Sequence, residues 1–255
     1  PKTEQYLVYL KNILTGNLGL SITQPSKTAN DIVEESFPAS ARLGITALIC
    51  GLLIGVAGGF LAGMKRNTVW DYVVILIVTL GASIPNFVVA SVLQYTFSYR
   101  IPILPPIGWD SSGNWFSGMR YVILPATALT FSTLAVYAKY MREAVLDVLD
   151  EEYILLARAK GLPRRTILWK YVLRNAVLPI VTVSAQQVAM LLTGSVVIES
   201  IFSIPGIGKY FVNSVTQRDY TVIMAVTIFY SLIFMISMLV MDLLYYRIDP
   251  RMRKQ

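Results

Sequence analysis

Histidine is absent from this 255-residue chain, and cysteine occurs once, as Cys50 inside an apolar run. The first absence removes the commonest metal ligand and the usual general base, and the second leaves no disulfide framework or thiolate metal site. A phosphate loop of the form GxxxxGK[ST] is missing too. The nearest stretch, 203–210, has Ser203 at the first glycine and Tyr210 at the hydroxyl position, so the chain has no nucleotide-driven engine of its own. Charge is scarce: 15% of residues carry one, against 55% that are hydrophobic. The long apolar runs hold no charge before Asp242, so the ionisable groups expected of an ion-coupled carrier are missing. Without histidine or a paired intramembrane carboxylate, a membrane hydrolase also lacks its nucleophile and base.

What is present is apolar sequence in runs long enough to cross a bilayer, with a mean hydropathy of +0.58, which specifies an all-α polytopic membrane bundle. Five spans are expected, near 43–64, 72–97, 121–138, 177–198 and 222–245, within a transmembrane region 42–246. In the first, Gly51, Gly55, Gly59 and Gly63 recur every fourth residue after Ala47, a stripe that lets another backbone approach closely. In the second, Pro85 predicts a kink, and Asn86 either faces a cavity or hydrogen-bonds a neighbouring helix. In the fourth, Thr182, Gln186, Ala189 and Thr193 form an uncharged polar strip, suited to a peptide backbone in transit or equally to a helix contact. Residues 1–41 read as a helix lying in the interface plane, with Tyr6, Leu7, Leu10, Ile13 and Leu14 on one face, followed by irregular chain from 17 to 41. No charged-then-apolar leader is visible, and a chain that opens at Pro1 is expected to have lost something upstream.

The apolar pattern is interrupted by a basic stretch holding Lys139, Arg142, Arg158, Lys160, Arg164, Arg165, Lys170 and Arg174. One such charge at a bilayer centre costs roughly 2.5 to 3.5 kcal/mol, so the stretch lies at a membrane surface. Asp150 reads as an N-cap, and Gly161 and Pro163 as the stop of a short helix. On that helix Tyr153, Leu156, Ala157 and Lys160 fall on one stripe, and Ala157 and Ala159 permit close approach by a partner. A second basic helix, 164–175, returns toward the membrane. Placing this loop in the cytoplasm also places Lys65, Arg66, Arg247, Arg251, Arg253 and Lys254 there, so the positive-inside rule accounts for the net charge of +7 without nucleic acid and puts the C-terminal tail, 247–255, inside.

The residues of this loop, Glu152, Tyr153, Ala157, Arg158, Ala159, Lys160 and Gly161, followed by Arg174, Asn175, Ala176, Leu178 and Pro179, resemble the cytoplasmic coupling loop of ABC importer permeases of the dipeptide/oligopeptide type. Further similarity lies in Gly16 to Ser21, Ser83 to Phe87, Leu124 to Ala126, Glu199 with Phe202 and Pro205 to Gly208, Arg218 to Tyr220, and Asp249 to Arg251. The broader importer pattern has Glu-Ala-Ala where this chain has Leu155, Leu156 and Ala157, a departure that points to the peptide branch. The resemblance implies a type I importer permease fold with one more span upstream, in a bacterial or archaeal cell (inner) membrane. It also implies a second homologous permease, two ATPase subunits that bind ATP and Mg, and an extracytoplasmic substrate-binding protein. Within the loop, about 139–176, Glu152, Tyr153, Leu156, Ala157, Arg158, Ala159, Lys160 and Gly161 would receive ATPase motion. Pro85, Asn86, Thr182, Gln186 and Thr193 would line the pathway, and Pro205, Gly206, Gly208 and Asp219 would meet the binding protein. Cargoes across the family include peptides, glutathione, nickel complexes and sugars; the competing reading is a channel working without ATP.

Overall fold

The computed structural model describes residues 2–112 and 114–248, and every regular element among them is helical. Asp249 to Arg251 and the basic residues Arg253 and Lys254 lie outside the described residues. Helix α1 (Lys2–Leu14) buries none of its side chains. Helix α2 (Ala29–Met64) has 36 residues, which at 1.5 Å per residue is about 54 Å against a hydrocarbon core of about 30 Å. Its first turns therefore project beyond the apolar layer. Irregular chain was expected as far as residue 41; the helix instead begins at Ala29, because Thr28 and Asp31 form a capping box. Asp31 N–H donates to Thr28 Oγ1 at 3.1 Å, and Thr28 N–H to Asp31 Oδ2 at 2.9 Å, which satisfies two first-turn donors. Pro38 lies inside this helix, flanked by buried Ser36, Ala39 and Ser40; packing on both sides overrides the break its ring favours.

The second expected span is two helices. Helix α3 (Val69–Ser83) and helix α4 (Asn86–Gln94), which continues as a π-helical turn (Tyr95–Arg100), meet at 101°. Ile84, ahead of the proline, is extended at φ −91° and ψ 121°, and Pro85 follows at ψ 139°. With two successive residues out of helical geometry the helix breaks where a kink was expected. Helix α5 (Met119–Leu149) runs eleven residues past the expected end at 138 and carries Lys139, Arg142, Glu143 and Asp147 beyond the apolar layer.

Helix α6 (Glu152–Ala159) follows. Then come α7 (Arg164–Thr166), a π-helical segment (Ile167–Leu173) and α8 (Arg174–Ala176) as one helical run. Helix α9 (Leu178–Leu192) and α10 (Val196–Ile201) flank a break at 193–195, and α11 (Ile207–Gln217) and α12 (Tyr220–Ile248) complete the fold. Among the described residues, four helical stretches are long and apolar enough to span a membrane, and the bent α3–α4 pair makes a fifth if it is one span.

The glycine stripe sets the central packing. A Cβ at Gly51 would lie 2.7 Å from Thr133, one at Gly55 2.6 Å from the Leu134 carbonyl, one at Gly59 2.9 Å from Ala138 Cα, and one at Gly63 2.7 Å from Val145. The matching order of these pairs means that α2 and α5 run parallel, in van der Waals contact over about three turns. Helices α3 and α4 pack against the same α5, and α9 packs on α12 and α2.

Candidate functional site

Two ends of the bundle are built with particular care. At the basic end, α6 stands on the extension of α5. Asp150, expected to cap α6, instead closes α5, and the N-cap is Glu151 in extended conformation. Its stop is as expected. Gly161 has φ +71°, its N–H donates to the Arg158 carbonyl at 2.9 Å, and Leu162 N–H donates to that of Ala157 at 3.2 Å, the paired bonds of a Schellman turn.

The face of α6 turned inward differs from the expected stripe. Ile154 and Ala157 are buried in one cluster with Tyr137, Met141, Val145 and Ile167, α6 itself packing on the 167–173 segment, whereas Leu156 is 55% exposed beside Leu155 at 58%. Glu152, Arg158, Ala159, Lys160 and Gly161 are also exposed, and Tyr153 is half-buried. Asn175 Nδ2 donates to Tyr153 Oη at 3.1 Å and to the Tyr171 carbonyl at 2.8 Å. The two halves of the loop motif, 22 residues apart, thus meet through one amide. Ile154, not singled out from the sequence, is the inner anchor, and Leu155, noted there only as part of a departure from the broader pattern, is half of the outer apolar patch. Periodicity inside an eight-residue helix does not say which side its neighbours take.

Also at this end is a buried ion pair that the sequence did not announce. Asp71, 1% exposed, accepts from Arg142 Nε at 2.6 Å and Nη2 at 3.1 Å, and from Asn67 N–H at 2.9 Å. Arg142 counted as one more basic loop residue until its partner, 71 residues away, appeared.

At the opposite end the remaining motifs close on one another. Glu199, fully buried in α10, accepts from Ser40 Oγ at 2.6 Å and Lys209 N–H at 3.0 Å, while Ser40 Oγ accepts from Ile207 N–H at 2.9 Å. A Cβ at Gly206 or Gly208 would meet the Glu199 carboxylate at 2.5 or 3.0 Å, so glycine is required there by close approach. Asp219 is buried and accepts from Ser21 Oγ at 2.5 Å, Thr23 Oγ1 at 2.9 Å and Thr23 N–H at 3.1 Å, and from Val222 N–H at 3.2 Å. Burial alone would push its carboxyl up; the donors from Ser21, Thr23, Val222 and Ile22 outweigh it and hold the pKa at about 2. Of the four residues expected to touch another protein here, only Pro205 is exposed. Gly206, Gly208 and Asp219 are occupied in folding the loops on themselves.

The five expected pathway residues lie at two places, the α3–α4 break and helix α9 with its C-cap. Exposed Pro85 and half-buried Asn86 mark the α3–α4 break, which packs on α5. Thr182, exposed on α9, donates to the Leu178 carbonyl at 3.5 Å. Gln186 and Thr193 line a cavity of about 440 Å³ with Tyr230, Ser231 and Phe234 of α12.

A family model described as the binding-protein-dependent transport system inner membrane component matches residues 55–254. The dipeptide transport system permease protein DppB of Bacillus subtilis (strain 168) is 42% identical over 253 residues, 99% of this chain and 80% of that protein. The oligopeptide transport system permease protein OppB of Salmonella typhimurium is 38% identical over 99% of this chain and 81% of its own length. A crystal structure of an amino acid ABC transporter with histidines matches with a TM-score of 0.64 over 85% of this chain and 93% of that one, at 15% identity, a likeness of fold alone.

Proposed function

This chain belongs to the family of inner membrane components of binding-protein-dependent transport systems, and from that premise we propose that it is one permease subunit of an ATP-driven peptide importer. The peptide cargo rests on the relatives named for dipeptide and oligopeptide transport at 42% and 38% identity. In this reading the chain forms half of a pathway completed by a second, similar permease and does no chemistry itself. Two ATPase subunits bind ATP with Mg and hydrolyse it, and an extracytoplasmic binding protein delivers the cargo. The basic end, and with it the C-terminus, faces the cytoplasm, where the positive-inside rule puts it.

The observation that carries this function is the build of α6. It is a stopped, eight-residue helix that turns Leu155 and Leu156 outward between Glu152 and the basic Arg158 and Lys160, while Ile154 and Ala157 key it into α5 and the 167–176 run. An exposed apolar pair on a rigid foot at a charged surface suits docking in a cleft of an ATPase subunit. Movement of that subunit is then passed to the packed helices, which have two arrangements open to opposite sides.

The test is Leu156→Asp in the complete assembly reconstituted in vesicles. Leu156 is 55% exposed and lies outside the buried cluster, so the variant should insert and fold, but ATPase subunits should co-purify at least about tenfold less, in line with the loss of one anchor that is well buried on docking, and di- and oligopeptide uptake should fall with them. Undiminished uptake by this variant overturns the docking role. Ala157→Arg is the less informative change, because Ala157 is buried within the chain.

A further inference from the structure

We infer that Asp71 and Arg142 are positioning residues that tie the coupling helix to the broken helix α3–α4, so that α3 moves with α6 as one body; this rests on α6 being the element that receives ATPase motion. Four observations converge. Asp71 sits in the first turn of α3, is 1% exposed, and takes both nitrogens of the Arg142 fork at 2.6 and 3.1 Å. The same carboxylate accepts from Asn67 N–H at 2.9 Å, and Asn67 is left-handed at φ 62°, so one group fixes the α2–α3 turn and α3 together. Arg142 lies seven residues before the end of α5 at Leu149, about 10 Å along the axis. Met141 and Val145 beside it share a cluster with Ile154 and Ala157 of α6.

The chemistry explains why the joint is ionic. Apolar packing, as between Gly63 and Val145, resists compression but slides and separates with little resistance. A bidentate guanidinium–carboxylate pair whose carboxylate is buried resists being pulled apart, because separation leaves the Asp71 charge away from water without its partner. Helix α6 pushed inward moves α5 through its apolar face; α6 drawn outward pulls α5 through the short covalent link at Asp150 and Glu151, but moves α3 only if something ties α3 to α5. The pair supplies that tie, and its far end is the helix that breaks at Pro85.

The experiment uses the full assembly in vesicles, with spin labels at Leu76→Cys on the exposed face of α3 and at Glu151→Cys, the exposed N-cap of α6 outside the docking pair, in a Cys50→Ala background. With Asp71 and Arg142 intact, the distance between labels stays constant through the ATP cycle. In Asp71→Asn it changes on ATP binding, and peptide uptake per ATP hydrolysed falls at least fivefold, while the ATPase still co-purifies. Arg142→Lys keeps the charge but loses the fork and gives an intermediate fall. Should Asp71→Asn not assemble, Arg142→Lys carries the same comparison. A constant distance and normal uptake per ATP in these variants, with only lowered thermal stability, reduce the pair to a structural brace and overturn the inference. Failure of the unmodified chain to bring down any ATPase overturns the coupling reading instead.

Discussion

Asp219 shows how much one carboxylate can organise. With donors from Ser21, Ile22, Thr23 and Val222 around it, its pKa falls to about 2, below the ordinary value near 4, so it stabilises the fold wherever it is charged in both states. Stability from this group is fully present above about pH 4 and is lost as pH drops through 2, an amount of about 2 kcal/mol. Thermal unfolding in detergent between pH 5 and pH 2 should therefore show a falling midpoint, and Asp219→Asn should start lower and lose much of that slope. Gly161 makes a different kind of residue-scale demand. Its Cβ position is empty within 4 Å, yet φ is +71°, so Gly161→Ala meets only the left-handed backbone penalty of about 1 to 2 kcal/mol. Hydrogen exchange of the Arg158 to Leu162 amides should quicken accordingly, with α6 still formed.

Among the elements, α2 offers a matched pair of glycines. Gly59 faces Ala138 and Met141 of α5, whereas Gly58, next to it, has nothing within 4 Å. Gly59→Ala forces the two helices apart and should destabilise by about 1 to 3 kcal/mol. Gly58→Ala should be neutral or stabilising by up to about 1 kcal/mol, and melting the two variants side by side in detergent checks the contrast. That stripe was legible in the sequence because close packing of two helices is a property of one face at helical period. Pro85 likewise announced a disturbance, but the 101° break came from Ile84 leaving helical geometry as well. Thr28 and Asp31 spell a capping box inside the stretch expected to be irregular, a local signal that a helix starts at Ala29. The inner face of α6 was not legible, since Met141 and Val145 of another helix decide it. The scattered short motifs could be read one by one, while their pairing, Asn175 with Tyr153 and Ser21 with Asp219, exists only after the chain has folded.

For the molecule as a whole, the parallel course of α2 and α5 fixes which charges share a side. Because the two helices are in register from Gly51 with Thr133 to Gly63 with Val145, the overshoot of α2 that bears Asp31, Glu34 and Glu35 leaves the bilayer at one end. The overshoot of α5 that bears Lys139, Arg142 and Asp147 leaves at the other, with α6 beyond it. Four spans plus the broken pair are consistent with this, since a bent α3–α4 that crosses once returns the chain to the side from which α5 must start. The orientation we propose follows from the positive-inside rule: Lys65, Arg66 and the basic residues around α6 would face the cytoplasm, and the acidic start of α2 would face out. In a Cys50→Ala background, a membrane-impermeant thiol reagent added to right-side-out vesicles should label exposed Glu34→Cys and spare Leu156→Cys, with the pattern reversed in inside-out vesicles. Adding the ATPase subunits to the inside-out vesicles should then protect Leu156→Cys, because the outward apolar face of α6 becomes buried, and should leave Glu34→Cys unaffected in right-side-out ones. Labelling of both positions from one side would contradict the parallel pairing itself, whereas a simple exchange of sides would contradict only the orientation assigned from charge.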